Sequence, residues 1–295
     1  GSILERDLLR RSLEGVKTLY HTVALVPIAK AGDEFIRVNV DGTRLVLEEA
    51  CAAGVEKVVH LSSSAILGTP AMPISDDAPY RPIGPYGKSK MLGEMVCKEF
   101  AESGKLDISL VRPRTVIGPG RLGIFQILFD WISDGANVFI IGKGNNKIQF
   151  LHAADLAEAC IAAGRHKGPI TFNVGATEFT TLRGDLESLC KHAGTKSKVK
   201  SLPVLPTITA LKLFDVTRLS PLAPWHYLTY HKDFYFDNHN AHTLLEWQPK
   251  YSNIESLIES YDWYIAHKQE INTKYAVSHR FALKQRILSL LKKIS

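Results

Sequence analysis

Apolar residues follow two rhythms along this chain. Short compact runs alternate with longer stretches in which they recur every three or four residues, and this predicts strands and helices in turn. Lys57-Val58-Val59-His60-Leu61, residues 107–112 and Ile170-Thr171-Phe172-Asn173-Val174 read as strands. Residues 16–25 read as a longer, buried one, with a short strand at 137–141 and an extended piece at 147–151. Helical spacing covers 6–13, 34–53, 86–103, 124–134, 153–165 and a segment begun by Thr181. In 34–53 the residues Phe35, Val38, Val40, Leu45, Leu47 and Ala50 face mostly inward. In the helix opened by Pro85 and stopped by Gly104, the apolar stripe is Met91, Leu92, Met95, Val96 and Phe100. Strands alternating with helices imply a parallel sheet with crossover helices. From about 196 the character changes: 202–219 is rich in Pro, Leu and Thr, and 221–230 is aromatic. A last helix carries Ile254, Leu257, Ile258, Tyr261 and Trp263.

A chain of 295 residues with 45% hydrophobic content can bury a substantial core, as one domain or two closely joined ones. No apolar run approaches the ~18 residues of a spanning helix, and no signal peptide is visible. Cys51, Cys97, Cys160 and Cys190 lie apart without a C-x-x-C, which fits a cytoplasmic setting better than a disulfide or zinc framework. The net charge of +6 sits largely near the end and gives no reason to expect nucleic acid. There, Leu283, Ile287, Leu290, Leu291 and Ile294 recur at helical spacing, with Arg280, Lys284, Arg286, Lys292 and Lys293 largely off that face. Such a basic amphipathic helix, taken as 269–295 with its linker, can pack on the protein, join a dimer or rest on an anionic membrane surface. His239-x-x-His242 has metal-ligand spacing without a third ligand nearby, so it reads as a surface pair and no metal is expected.

The candidate chemistry centres on Pro85-Tyr86-Gly87-Lys88-Ser89-Lys90. Tyr86 and Lys90 stand four apart at a helix start, so both side chains lie on one face. An ammonium there favours the ionised phenol, and a phenol tuned toward neutrality can exchange a proton with a carbonyl or alcohol oxygen. Upstream, the strand at 57–61 runs into Ser62-Ser63-Ser64, and ligands sit at the carboxyl ends of strands in open α/β sheets. The Pro-rich loop at 70–85 carries Asp76-Asp77, which read as solvated loop and helix-entry charge.

Four motifs together carry a resemblance. They are Ser62-Ser63-x-x-Ile66-Leu67-Gly68, Tyr86-x-x-Ser89-Lys90, Arg112-Pro113-x-x-Val116-x-Gly118-Pro119-Gly120 and Phe150-Leu151-His152-x-x-Asp155-Leu156-Ala157. The chain, from about 3 to 268, resembles the extended short-chain dehydrogenase/reductase family, also called the NAD-dependent epimerase/dehydratase family. The resemblance implies an α/β fold: a Rossmann-like doubly wound parallel sheet over 1–175, and a smaller, mainly substrate-binding part over 176–268. It implies NAD or NADP as cofactor. Tyr86 would be the acid/base and a cofactor contact, Lys90 its tuner and a ribose contact, Ser63 the hydroxyl that orients the substrate, with Ser62 and Ser64 as flanking alternates. Pro113 and Val116 would line the cofactor. Asn39-x-x-Gly42-Thr43 resembles a further element, in which helix–sheet packing at Gly42 is the preferred reading for Asn39. Leu245-Glu246-Trp247-Gln248-Pro249 resembles the closing Leu-Gly-Trp-x-Pro turn. A homodimer through the helices at 34–53 and 86–103 is a further expectation.

Departures from the pattern matter as much. The chain starts at Gly1-Ser2, which reads as a tagged, processed or partial chain. The family's first strands and Gly-rich pyrophosphate turn have no counterpart, leaving 16–25 as an edge strand and cofactor binding by this chain in question. Gly118-x-Gly120-x-x-Gly123 matches the dinucleotide fingerprint in letters only: five residues separate Arg112 from Gly118, and the next strand ends without an acid. Ser64 and Ala65 stand where dehydratases carry an Asp-Glu pair, and Ile148 where nucleotide-sugar enzymes carry a diphosphate-binding Arg. The preferred reading is therefore hydride transfer on an alcohol or ketone of a small, apolar substrate. A nucleotide-sugar epimerase is the alternative, and a non-catalytic scaffold or a fragment unable to bind cofactor the third.

Overall fold

The computed structural model describes residues 1–26, 31–216 and 224–274, and side chains in the last two stretches as far as 214 and 271. The basic segment at 279–294 lies outside the described residues. In chain order the elements are α1 (Arg6–Leu13), β1 (Thr18–His21), α2 (Glu34–Ile36), a π-helical turn (Arg37–Asp41), α3 (Gly42–Ala52), β2 (Lys57–Leu61), a 3-10 turn (Ser64–Ile66), α4 (Gly84–Glu102), β3 (Asp107–Pro113) and β4 (Thr115–Ile117). There follow α5 (Phe125–Ser133), β5 (Val138–Ile141), β6 (Phe150–His152), α6 (Ala153–Arg165), β7 (Ile170–Val174), α7 (Leu182–Ala193), β8 (Val199–Leu202), α8 (Val204–Val216), α9 (Pro224–Thr229), α10 (His239–Leu245) and α11 (Asn253–Lys274).

These elements form two compact units that the chain enters more than once. The first comprises Gly1–Arg114, Ala154–Gly175 and Phe236–Gln248, and the second Thr115–Ala153, Ala176–Tyr235 and Pro249–Ser295. The chain first passes from one unit to the other after Arg114, just beyond β3.

The first unit is built on a parallel sheet of order β1-β2-β3-β7. Val58, Ile108 and Leu110 meet Leu47, Ala50, Val96, Cys97 and Phe100 of α3 and α4 in one core. On α6, a Cβ at Gly164 would stand 2.3 Å from the Tyr20 hydroxyl, which places this helix against β1. Helices thus lie on both faces, giving the α/β, Rossmann-like doubly wound arrangement. β1 has one hydrogen-bonded neighbour among the described residues. It is shorter and less buried than the run at 16–25 predicts: only His21 is buried, and Tyr20 is 42% exposed.

The face of α4 also differs from its apolar stripe. Met95 is 49% exposed, whereas Ser89, Lys90, Glu94 and Cys97 are buried. The polar members of that set find partners inside, and this rotates the inward face away from the hydrophobic one. Asp76 departs from the expected solvated loop in the same way. Its two carboxylate oxygens accept the Asn173 and Asn240 backbone N–H groups at 2.5 and 2.9 Å, tying the loop to β7 and α10. Burial raises its pKa.

In the second unit, β4 pairs with β6 and β5 with β8. Its core joins Phe129, Phe150, Leu189, Leu257 and Tyr264. Ile148 is 1% exposed in that core and bridges Phe234. β4 runs straight into Gly118, so the spacing objection to the glycine motif does not hold. Gly118 has a packing reason of its own, because a Cβ there would lie 2.9 Å from the Ala153 Cβ. Residues 204–216, read from sequence only as a change of character, form α8.

The turn after α10 yields a stability prediction. Glu246 caps that helix at φ 52°, the left-handed region, where the resembled turn has Gly. A side chain there costs about 1 kcal/mol. Glu246→Gly is therefore expected to stabilise the protein by up to about 1 kcal/mol, and an unchanged or lower denaturant midpoint would contradict it.

Candidate active site

Ser63, Tyr86 and Lys90 all belong to the first unit. Lys90 is 2% exposed and donates from Nζ to the Leu61 carbonyl at 2.6 Å. Burial pushes its pKa down to about 8, against the opposing pull of Cys97 and Glu94. An ammonium has three donors. Among the described residues Leu61 takes the one hydrogen bond found for Lys90, so donors remain for a bound group. Tyr86 lies one helical turn earlier, half-buried, with its ring edge-on to Phe35 at 6.1 Å between centroids.

The three serines, of which the resemblance prefers Ser63, have different partners. The Ser62 hydroxyl is buried and donates to Glu94 at 2.7 Å. The Ser64 hydroxyl accepts from Arg114 Nη1 at 3.1 Å. Ser63 is half-buried, caps the 3-10 turn and accepts the Ala65 N–H at 3.2 Å. Among the described residues it donates to none, so its proton is available to a ligand. Gly87 brings α4 against this turn: a Cβ there would lie 2.6 Å from the Ala65 carbonyl.

Asn39 does more than pack. It is 1% exposed in the π-helical turn, accepts the Leu25 N–H at 2.8 Å and donates to the Leu25 carbonyl and to Ser89 Oγ. The extra residue of a π turn re-aims the side chains on it. Close approach is supplied by Gly93, whose Cβ would lie 2.5 Å from the Asn39 carbonyl. Gly42, to which the sequence assigned it, meets the Ile3 side chain instead. Pro113 ends β3 in the first unit, and Val116 lies in β4 of the second.

Sequence reasoning missed two groups beside Lys90. His60 is 1% exposed, and among the described residues neither ring nitrogen has a hydrogen-bond partner. His21 stands 5.1 Å from it, ring to ring, and its Nε2 meets Thr43 Oγ1 at 3.0 Å. Burial, and then Lys90, lower both pKa values, His21 to about 3. The one available signal was a histidine inside each of two apolar strands.

The chain was compared with known proteins. A model of the NAD dependent epimerase/dehydratase family matches residues 1–175. The uncharacterized protein y4nG of Sinorhizobium fredii is 44% identical over 292 residues, 99% of this chain and 74% of that one. The UDP-glucose 4-epimerase of Mycolicibacterium smegmatis is 28% identical over 278 residues, 88% of this chain and 82% of its own. The mouse (Mus musculus) sterol-4-alpha-carboxylate 3-dehydrogenase, decarboxylating, is 29% identical over 171 residues, 56% of this chain and 47% of its own. Among solved structures, UDP-glucuronic acid 4-epimerase from Bacillus cereus in complex with NAD superposes with TM-score 0.74 at 24% identity, covering 90% of this chain and 79% of that one. That likeness supports the fold, and the matched family is NAD dependent by description. With more than half the chain matched by its model, this protein belongs to the NAD-dependent epimerase/dehydratase family.

Proposed function

We propose that this chain carries the catalytic residues of an NAD(P)-dependent oxidoreductase acting on an alcohol or ketone carbon of a small, apolar substrate. The observation that carries this reading is the grouping of a buried Lys90 one turn from Tyr86, beside a Ser63 whose proton is available. Tyr86 gives its proton to a developing alkoxide, or takes one from an alcohol. The Lys90 ammonium favours the phenolate, and its remaining N–H donors suit ribose hydroxyls; Pro113 and Val116 are the other residues assigned to the cofactor. Ser63 donates to the substrate oxygen and fixes its orientation. The bound nicotinamide would supply the hydride chemistry. We read 176–268 as mainly substrate-binding.

Ile148, in the second unit's core where nucleotide-sugar enzymes carry an Arg, favours the apolar substrate; a buried diphosphate needs bidentate cations. Nucleotide-sugar epimerisation is the second reading, favoured by likeness to the M. smegmatis epimerase over 88% of the chain. A homodimer through α3 and α4, with Met95 49% exposed on α4, belongs to the same proposal. So does peripheral membrane contact through 279–294; among the described residues no helix is long and apolar enough to cross a membrane.

Titration with NADH and NADPH, followed by nicotinamide fluorescence, tests the proposal. Saturable binding shows the cofactor site to be complete without the Gly-rich turn, and turnover of a 3-hydroxysteroid is then expected in preference to UDP-glucose. The reverse preference selects the epimerase. A folded chain that binds neither nucleotide refutes the enzyme reading for this chain by itself and leaves a non-catalytic scaffold or a fragment unable to bind cofactor.

A further inference from the structure

Glu94 carries a buried charge that the proposed chemistry does not use. It is fully buried one turn beyond Lys90 and two beyond Tyr86, on the same face of α4. Three side chains converge on its carboxylate. Ser62 Oγ donates at 2.7 Å, Tyr80 OH at 2.7 Å, and Arg112 through Nε at 3.1 and 3.2 Å and again through Nη2. Arg112, 2% exposed, uses Nη1 to hold the Asp76 carbonyl at 2.7 Å. Burial opposes ionisation of Glu94, but Arg112, Ser62 and Tyr80 outweigh it and hold its pKa below the ordinary carboxylate range. Burial and Glu94 push the Tyr80 phenol up, so it stays a donor.

A buried ion pair is poor evidence of a stability role, because an apolar pair of like volume often does as well. What an apolar pair cannot do is accept a hydrogen bond from Ser62. Successive turns of α4 hold successive residues at the end of β2: Lys90 takes the Leu61 carbonyl and Glu94 the Ser62 hydroxyl. The next residue is Ser63, whose own contact found here is the Ala65 amide.

We propose that Glu94, anchored by Arg112 and Tyr80, is a positioning residue that holds Ser62 and thereby sets the Ser63 hydroxyl opposite Tyr86. This rests on the reading of Tyr86 and Ser63 as catalytic. Ser62→Ala severs the latch while leaving Glu94 its Arg112 and Tyr80 partners. Tyr80→Phe removes a different donor from the same carboxylate and leaves Ser62 in place. A merely structural Glu94 would respond alike to both.

Hydrogen exchange at the Ala65 amide gives the first readout and needs no substrate. Ser62→Ala is expected to speed it about tenfold, Tyr80→Phe to leave it near wild type, and Ser62→Thr to restore it. Turnover with NAD and whichever alcohol the protein accepts gives the second. In Ser62→Ala, kcat is expected to fall about tenfold or more with KM little changed. Unchanged exchange and turnover in Ser62→Ala, with Tyr86→Phe inactive, would overturn the latch and spare the catalytic reading. Equal effects of Ser62→Ala and Tyr80→Phe would overturn it as well. An active Tyr86→Phe would remove the catalytic reading and the proposal with it. Should Ser62→Ala not fold, Ser62→Cys, of similar size and a weak donor, is read in the same way.

Discussion

Tyr86→Phe is expected to lower turnover by ~10²–10⁴-fold, the range that a positioned acid/base group supplies. The change removes one oxygen from a half-buried ring whose apolar body packs edge-on to Phe35. Melting behaviour should therefore stay close to wild type. The loss should fall on kcat, since proton transfer is made only in the transition state. Lys90→Met should lower both activity and nucleotide affinity, because Lys90 is assigned two roles. Wild-type turnover in Tyr86→Phe would remove the tyrosine from the mechanism, whatever the substrate proves to be.

The second large effect is on stability against pH. His21 and His60 are buried on the same sheet, with Lys90 acting on both. The charged groups around Lys90 include Glu94 on α4 and, through it, Arg112 on β3. The folded His21 has its pKa lowered to about 3, below the ordinary value of 6.5. Between those values the unfolded chain binds more protons, so the His21 contribution is fully present above about pH 6.5 and is lost as pH drops toward 3. At pH 5, His21 alone accounts for about 2 kcal/mol of lost stability, and His60 acts in the same direction. Lys90, lowered to about 8, adds stability as pH climbs from 8 toward 10.5, while the buried thiols of Cys97 and Cys160, raised by burial, act in the opposite direction above about pH 9. His60→Leu removes a buried imidazole that makes no hydrogen bond among the described residues. It should flatten the acid slope and stabilise the protein at pH 7 by about 1 kcal/mol. Denaturant midpoints at pH 5, 7 and 9 decide this. A wild-type midpoint unchanged between pH 7 and 5 would show that the two histidines are not held neutral.

Most of the sheet and its helices were legible in the sequence, because a strand such as Val58–Leu61 or a capped helix such as the one begun by Thr181 is specified locally. The Thr181 hydroxyl does accept the Gly184 N–H at 3.1 Å. The failures share a cause. Hydrophobicity assigned α4 a face through Met95, yet Lys90 and Glu94 take the inward positions because partners on β2 and β3 meet them there. Asp76 read as solvated because its two backbone donors lie 97 and 164 residues away. Ser62, Ser63 and Ser64 are chemically identical, and only Glu94 and Arg114, brought in by other elements, distinguish them.

The sequence by itself determined the family, the doubly wound sheet and the Tyr86–Lys90 spacing. Periodicity and a four-residue offset are properties of one stretch of chain and survive without tertiary contacts. Tertiary structure alone decided which partner each serine meets, that Lys90 and two histidines share a buried setting, and that Glu94 reaches Ser62 just past β2. Each depends on desolvation and on hydrogen-bond partners supplied from distant positions, and those exist only once strands and helices have packed.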